Sequence, residues 1–425
     1  MTPSLARHLG FWALVTYGIG DILGAGIYAL VGKVVAVAYD AGWISFVFAA
    51  FLAVVTGLSY AELSARFPVA AGAAAFIKRA FKNRLIATLS GVLVLGTGLS
   101  SAATVTTAFS GYLAQIIPFP PFISRILFVL ALSFLSFWGI RESSRVNIVL
   151  TAIEVSGLLA VIAAGVGLIT GESIAPFFAN SFRGDIAPVL SGATIAFFAY
   201  IGFEDLCNLA EEAKNPSRDL PRAVLAAIAV TSVIYFAVTV ILQITVPHAS
   251  IASSDVPLLL ILEKAGYTWV GDWFALVAML AIANTGLANL IMASRLLYGM
   301  AQEGLVHPVA GRVHAVRQTP WVGILFTAAV TLTLVLTGGL KTLAQTTSLL
   351  IVVVFLLVHA SLIRVKLQKE PYAGFKIPLF FPFLGSILCL VLLVRYPLEA
   401  YLRSWVILLA GFAVWFLGKR RLFNP

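Results

Sequence analysis

The sequence contains few charged residues, and this scarcity excludes most soluble architectures. Only 11% of its 425 residues are Asp, Glu, Lys or Arg, whereas 60% are hydrophobic and the mean hydropathy is +1.01. Soluble globular domains carry about 25% charged residues on average. We therefore expect a polytopic membrane protein, whose apolar surface is surrounded by the lipid bilayer instead of water.

The chain also lacks the residues and motifs that several other classes require. It has two cysteines, Cys207 and Cys389, both in apolar segments, and the loop "PFPPFIS" between the third and fourth segments has none. No disulfide-linked heavy chain or other disulfide partner is indicated. There is no Walker phosphate loop, no H-E-x-x-H, no G-x-S-x-G and no metal-type Cys/His spacing. We expect no enzyme activity and no cofactor or metal, and a channel would need a continuous polar stripe through the membrane.

Long hydrophobic runs dominate what is present. A membrane-spanning helix needs about 20 apolar residues, and twelve segments approach that length. Because they are continuous and lack the period-2 alternation of a membrane barrel, they are predicted to be helices. The segments are approximately 11–37, 42–65, 85–117, 123–139, 146–169, 187–212, 223–246, 272–301, 321–337, 342–363, 378–394 and 398–418.

The basic residues indicate a topology. The net charge is +10, but the cations are spread among the connections instead of forming one patch, so no nucleic acid partner is expected. If both termini are cytoplasmic, 21 of the 28 Lys and Arg residues lie on the inner side, as the positive-inside rule requires. We expect a multi-pass protein of the plasma membrane. The seven outer cations are Lys33, Arg125, Arg183, Lys264, Lys341, Arg395 and Arg403.

Two of the apolar segments contain glycine and acidic residues where a spanning helix would be weakened. The stretch "YGIGDILGAGIYALVG" (17–32) carries five glycines and Asp21, and "FFAYIGFEDLCNLAEE" (197–212) carries Gly202 followed by Glu204 and Asp205. Each glycine costs about 1 kcal/mol relative to alanine in a helix. The glycines either permit close helix packing or mark breaks. Two breaks five helices apart indicate an inverted repeat with a binding site at the bilayer midplane.

Four motifs then make the chain resemble a known family. They are "GIGDILGAGIY" in helix 1, "YAELSARFPVAAGA" ending helix 2, "FFAYIGFEDLCNLAEEAKNPSRDLPRA" through helix 6 and "ASRLLYGMAQEGLVHP" ending helix 8. With them the chain resembles the amino acid–polyamine–organocation transporters. The resemblance implies an all-α leucine-transporter-type fold in a single domain, 1–425, with two inverted five-helix repeats (11–169 and 187–363) and two added helices (378–418).

The same resemblance implies the function. We expect a secondary active transporter that moves amino acids by alternating access, coupled to protons or working as an exchanger. The alternatives are a polyamine or cationic amine permease and a sodium-coupled amino acid symporter. The cytoplasmic stretch "PVAAGAAAFIKRAFKN" (68–83) is similar to the inner gate region of the family and has an amphipathic, basic character.

The resemblance also implies a substrate site. The substrate carboxylate is expected at the backbone of Gly24, Ala25 and Gly26, and the amine at carbonyls near Ile22 and near Phe198, Ala199 and Ile201. The Phe198 ring either closes over the substrate or simply packs in the core. Asn289 in helix 8 either reads the polarity of the substrate side chain or makes an interhelical hydrogen bond.

Helix 5 departs from proton-coupled relatives, which often carry a lysine at a comparable place. Here Asn147, Thr151 and Glu154 share one helix face, because they are spaced four and three residues apart. A charged carboxylate at mid-membrane costs about 2.5–3.5 kcal/mol, and protonation removes that cost. Glu154 therefore either carries the coupling proton, or bonds a neighbouring hydroxyl without titrating, or holds Na⁺ together with Ser294.

Other ionisable residues within the apolar segments leave similar alternatives. Asp21 either caps the second half of a broken helix 1, or faces a cationic substrate, or carries a proton or cation. Glu204, with its neighbour Asp205, either shapes the pocket and its gate or caps the second half of helix 6. Glu62 is interpreted as a structural ion pair with Arg66, and His359 as a packed or interface histidine.

Overall fold

The computed structural model describes residues 9–68, 72–138, 144–182, 184–210, 213–267, 271–302, 306–317, 319–368 and 371–422. Within these ranges the chain is helical, and its β pairing is limited to one isolated bridge between Leu9 and Ala213. The predicted all-α class is confirmed.

Sixteen α-helices and several 3₁₀ turns make up the described residues. The helices are α1 (Phe11–Ala38), α2 (Gly42–Arg66), α3 (Gly72–Phe81), α4 (Arg84–Ile116), α5 (Pro121–Trp138), α6 (Ser144–Val166), α7 (Gly171–Asn180), α8 (Ile186–Ala196), α9 (Pro216–Thr245), α10 (His248–Ser253), α11 (Leu259–Lys264), α12 (Gly271–Gln302), α13 (Trp321–Thr337), α14 (Leu340–Leu367), α15 (Phe380–Leu393) and α16 (Leu398–Leu422). Two 3₁₀ turns, Phe197–Tyr200 and Phe203–Leu209, continue the line of α8.

Helix length and composition support a multi-pass membrane protein. In the described ranges eight helical stretches are long and apolar enough to span a membrane, and one of them, Phe11–Arg66, contains both α1 and α2. The helix α13 is shorter, and α15 meets α16 at a bend of 110° that makes the pair resemble one broken span. Each predicted segment thus falls on helical structure. Twelve separate crossings and the leucine-transporter arrangement stay predictions.

The outer faces of the bundle carry large apolar side chains. Phe134 on α5, Leu325 on α13 and Val406 on α16 are 56%, 61% and 66% exposed, respectively. Contiguous apolar surface of this kind is costly in water. It fits a bilayer, where these side chains would contact lipid tails.

Four short helices lie outside the predicted segments. Of these, α3 falls in the stretch predicted to be amphipathic, and it buries Phe76, Ile77 and Ala80 while Lys78 and Arg79 stay exposed. The amphipathic prediction is confirmed, although its gating role stays a prediction. The helices α7, α10 and α11 were not expected from hydropathy, because they are too short to give a long apolar run.

A buried cluster of charges joins α2 to α14. The Glu62 carboxylate accepts from Arg66 (Nη2 to Oε1, 2.7 Å), lies 2.7 Å from Lys366 Nζ and accepts from the Ile377 N–H at 2.8 Å. The predicted ion pair with Arg66 is confirmed, and Lys366 extends it to a second helix. These contacts replace the hydrogen bonds to water that the carboxylate loses when it is buried.

His359 lies in the interface between α2 and α14. It is fully buried, and its ring nitrogens are 3.2 Å from Thr56 Oγ1 and 2.9 Å from Ser59 Oγ. Both ring nitrogens therefore have hydroxyl partners on α2. The interpretation as an interface histidine is confirmed.

Both predicted breaks are present and lie against each other. In α1 the backbone leaves helical geometry at Gly24 (φ −13°, ψ −142°), and in the sixth segment α8 gives way at Phe197 to 3₁₀ turns that flank Gly202 (φ 128°, ψ −30°). A Cβ built on Gly26 would lie 2.4 Å from Ala199 Cα, and one on Gly202 would lie 2.8 Å from the Asp21 carbonyl oxygen. Glycine is therefore required at both crossing points.

Gly26→Ala should destabilise the fold, because the added methyl group meets backbone and not a flexible side chain. Overpacking of this kind costs about 1–3 kcal/mol, so the melting temperature of the detergent-solubilised protein should fall. Gly299→Ala on α12 is the matched control, since its Cβ would meet nothing within 4 Å. That control should be neutral or stabilising by up to about 1 kcal/mol. Equal melting temperatures for the two variants would contradict the close crossing.

Candidate functional site

A small cavity lies where the two broken segments meet α4 and α12. It is bordered by the break of α1, by the 3₁₀ turns after α8 and by polar side chains of the two long helices. Its lining residues are Asp21, Ile22, Gly24, Ala25, Gly26, Ser101, Phe198, Ile201, Gly202, Asp205, Thr285 and Asn289. Seven of the eight predicted substrate-site residues are among them, and Ala199 is the exception.

The volume of this cavity is about 30 Å³. A buried water needs roughly 10–15 Å³ measured in this way, so the cavity has room for water but not for an amino acid. The described conformation is therefore closed around its centre. Phe198, which is 5% exposed, is a lining side chain large enough for its rotation to enlarge the space.

The break in α1 supplies the polar backbone of the cavity. A new helical segment starts after Gly24, and the first N–H groups of a helix have no intrahelical acceptor. Such N–H groups, at the positive end of the helix dipole, attract anions. Gly24, Ala25 and Gly26 all line the cavity, so the backbone at the predicted carboxylate position is exposed to it.

The carbonyl groups predicted to bind the substrate amine lie within hydrogen-bond distance of donors in the protein itself. The Tyr235 hydroxyl on α9 lies 2.7 Å from the Ile22 carbonyl oxygen and 2.8 Å from that of Ala199. One side chain therefore bridges both breaks. The Phe198 carbonyl accepts from the Ile201 N–H at 3.2 Å. In this conformation the Phe198 carbonyl has its own donor, whereas the Ile22 and Ala199 carbonyls share the single proton of the Tyr235 hydroxyl.

Asn289 makes the interhelical hydrogen bond that was one of its two predicted alternatives, whereas its role toward the substrate side chain stays a prediction. It lines the cavity, and its Nδ2 donates to Ser101 Oγ on α4 at 3.0 Å and to the Thr285 carbonyl at 2.9 Å. The interhelical bond fixes the orientation of the amide.

Two carboxyl groups line the cavity, and a third supports the break. Asp21 and Asp205 belong to the lining, one from each broken segment. Glu204 does not; its Oε2 accepts from the Gly202 N–H at 3.0 Å, which favours the capping interpretation. Asp21 lies three residues before Gly24, and this is not the usual N-cap position of the second half of α1. None of the twelve described lining residues is basic.

Glu154 is placed behind the break, between α1 and α12. It is 1% exposed, and neither carboxylate oxygen has a hydrogen-bond partner in the described part of the chain. Asn284 on α12 is close enough to interact with the carboxylate. The Tyr28 hydroxyl on α1 donates to the Glu154 backbone carbonyl at 2.8 Å. Glu154 is thus a buried acid that interacts with both α1 and α12.

The structure does not bring Ser294 to Glu154. Ser294 is ten residues beyond Asn284 on α12, about 15 Å along the helix, and it faces Gly323 of α13 while its Oγ donates to the Ile291 carbonyl. A sodium site made by Glu154 and Ser294 together therefore lacks support. Thr151 packs against Gly20 of α1, whereas the side chain of Asn147 lies outside the described residues.

The sequence is also similar to proteins of a known family. The chain matches the sequence profile described as "Amino acid permease" over residues 9–418, which is nearly its whole length. The chain belongs to the amino acid permease family. It is a transporter and not an enzyme, and the permease carries its cavity at the crossing of two broken helices.

Individual relatives of the permease differ in the substrates for which they are named. The branched-chain amino acid permease BcaP of Bacillus subtilis is 29% identical over 98% of this chain and 94% of its own length. The chloroplastic cationic amino acid transporter 9 of Arabidopsis thaliana is 33% identical over 73% of this chain and 58% of its own. The methylthioribose transporter of Bacillus subtilis is 27% identical over 99% of this chain and 95% of its own length.

Several residues of the site were not predicted from the sequence. Ser101, Thr285 and Tyr235 are polar side chains in long apolar helices, and only packing selects them from many similar ones. Asp205, by contrast, was named with Glu204 as a pocket alternative, because it is an acid three residues after a glycine in an apolar segment. Its position next to Glu204 left open which of the two carboxylates faces the cavity.

Tyr235→Phe should destabilise the permease by removing the hydroxyl that serves two buried carbonyls. A buried acceptor left without a donor costs about 1–3 kcal/mol, so the melting temperature in detergent should decrease. Tyr267→Phe is the control, because Tyr267 is 46% exposed and removal of its hydroxyl should leave the melting temperature unchanged. If the two variants melt at the same temperature, the bridge does not stabilise the closed conformation.

Proposed function

We propose that the permease is a secondary active transporter that moves amino acids by alternating access around the central cavity. The single observation that carries this proposal is the contact of two helix breaks around a polar cavity, in a chain of the amino acid permease family. Irregular backbone at membrane depth is tolerated where it is buried in protein or lines a cavity. A closed cavity of this kind must open to each side in turn.

The proposed architecture has two inverted repeats, 11–169 and 187–363, followed by α15 and α16. Its support is that the breaks fall in the first helix of each repeat, as broken helices do in transporters built this way. The charge distribution of the connections supports cytoplasmic termini and insertion in the plasma membrane. The helix α3 lies at the cytoplasmic side in this topology, where it would belong to the inner gate.

Cationic amino acids are the proposed substrate class. Asp21 and Asp205 line the cavity from opposite segments, and no basic residue is present among the described lining residues. The backbone of Gly24, Ala25 and Gly26 is the proposed partner of the substrate carboxylate, and the two aspartates are the proposed partners of its positive charges. Relatives named as cationic amino acid transporters are consistent with this class.

Purified permease in liposomes should take up labelled lysine with saturation. Asp205→Asn should raise the KM for lysine about tenfold, since a hydrogen bond to a charged group contributes about 1.5–3 kcal/mol, and it should change the KM for leucine much less. The measurement is initial uptake rate against substrate concentration. Asp40→Asn, at an exposed position outside the cavity, is the control.

Competition separates this class from the neutral one. Unlabelled arginine should inhibit lysine uptake more strongly than leucine or methylthioribose does. Strong leucine uptake without lysine uptake would replace the cationic class by the branched-chain one, for which the whole-length relative BcaP is named. A linear, non-saturating flux would contradict a carrier of either specificity.

Proton coupling through Glu154 is the proposed driving mechanism. The carboxylate is buried without a hydrogen-bond partner among the described residues, so a negative charge there is costly and protonation relieves it. Glu154 also contacts the helices that must move in this mechanism. Its backbone carbonyl accepts a hydrogen bond from the Tyr28 hydroxyl of α1, and its carboxylate lies beside Asn284 of α12. A change of charge at Glu154 would therefore bias α1 relative to α12.

Glu154→Gln should abolish accumulation driven by a pH gradient while exchange of internal for external lysine continues. The glutamine keeps the shape of the neutral acid, so the melting temperature should not fall. Uptake is measured with a pH gradient and, separately, with a sodium gradient. If the wild-type permease accumulates lysine with a sodium gradient alone, or if Glu154→Gln still accumulates lysine with a pH gradient, this mechanism is ruled out.

A further inference from the structure

A second, larger cavity lies on the side of the central site that the topology predicts to be extracellular. Its volume is about 480 Å³. It is formed by α1, α4, α5, the segment after α10 and the start of α14. Thr107 borders it, six residues beyond Ser101 of the central cavity on α4, which corresponds to about 9 Å along the helix. We call this cavity the outer vestibule.

Cations converge on the outer vestibule. Lys33, Arg125 and Lys341 border it, and the only acid among its described lining residues is Asp255. Seven Lys and Arg residues are predicted on the outer face in total, so nearly half of them meet in one place. A random scatter over the outer surface would not gather them around the cavity that leads toward the central site.

The acid neutralises only part of this charge. Lys33 Nζ lies 2.9 Å from Asp255 Oδ1 and also donates to the Ser254 carbonyl. Arg125 donates through Nε to Ser110 Oγ at 3.0 Å, and Lys341 is exposed with no ion pair in the described residues. Asp255 also interacts electrostatically with Arg125, so three cations share one acid and the described lining keeps an excess of two positive charges. Glu399 contacts Thr342 at 3.4 Å but does not line the vestibule.

The start of α14 adds to the positive potential. Gly339, Leu340, Lys341 and Thr342 line the vestibule, and no side chain caps the helix there. Its free N–H groups are aligned with the positive end of the helix dipole. The vestibule therefore suits a carboxylate and repels a molecule that carries only positive charge.

We infer that the outer vestibule is a charge filter that admits amino acids by their carboxylate and rejects amines that lack one, with Arg125 and Lys341 as the selecting residues. The inference rests on the proposed transport of cationic amino acids. The carboxylates of Asp21 and Asp205 in the central cavity attract a diamine as well as lysine. Repulsion in the vestibule adds to the discrimination that the proposed carboxylate contacts at Gly24, Ala25 and Gly26 provide, since specificity often needs an unfavourable interaction with the wrong ligand.

The test compares lysine with cadaverine, which is lysine without its carboxylate. In liposomes, cadaverine should inhibit labelled lysine uptake by the wild type only weakly. In Arg125→Gln/Lys341→Gln the KM for lysine should rise, its kcat should stay, and cadaverine should inhibit roughly fivefold better, because two partly exposed charge interactions are removed. Arg395→Gln is the control, since it removes an exposed outer cation that does not line the vestibule.

A variant with one substitution is less prone to a folding defect than the double variant and serves as a second test. Lys341→Glu changes one exposed residue at a helix start, and cadaverine should inhibit about as well as in the double variant, because both variants change the net charge of the vestibule by −2. Unchanged selectivity in both variants, with normal lysine uptake, would overturn the filter. If replacing chloride by gluconate changes wild-type selectivity as much as the substitutions do, the vestibule holds inorganic anions and the inference is wrong. Absence of saturable lysine uptake in the wild type would instead contradict the proposed function.

Discussion

The fold depends on satisfying backbone groups that two broken helices release inside an apolar environment. A carbonyl without a donor is costly there, because no water is present to replace the lost hydrogen bond. The Tyr235 hydroxyl lies within hydrogen-bond distance of both the Ile22 and the Ala199 carbonyl and donates its one proton to either of them, and Glu204 accepts from the Gly202 N–H. The breaks are therefore held closed by groups whose hydrogen bonds a substrate would have to share or replace. The same contacts that stabilise the closed cavity define what must change for it to open.

The position of the site could be predicted mainly from the glycines in the sequence. A glycine in a spanning helix costs free energy, so a cluster of them marks a place where the chain must bend or approach another backbone closely. Gly24, Gly26 and Gly202 do so, and the residues beside them, including Phe198 and Ile201, line the cavity. Hydropathy likewise located the helices, apart from the short ones between spans.

Polar residues in long helices could not be assigned in the same way. The helix α4 contains Thr104, Thr106 and Thr107, each of which bonds a carbonyl of its own preceding turn, whereas Ser101 bonds Asn289 across the cavity. Which of these hydroxyls faces the site depends on the rotation of α4 against α12, and tertiary packing sets that rotation. The alternative in which Glu154 and Ser294 hold Na⁺ together lacked support for a related reason, because shared polarity does not fix the depth at which two helices meet.

The two cavities carry opposite charge, and their order along α4 gives that difference a meaning. Carboxylates in the central cavity attract any cation, and cations in the outer vestibule attract any anion, so neither set of charged side chains alone distinguishes an amino acid. Placed about 9 Å apart along one helix, they act in series on the same molecule. Passage is then favourable for a substrate that carries both charges. The proposed contact of the substrate carboxylate with the backbone at Gly24 and Gly26 would add a second requirement for a carboxylate, because N–H groups cannot accept a hydrogen bond from an amine.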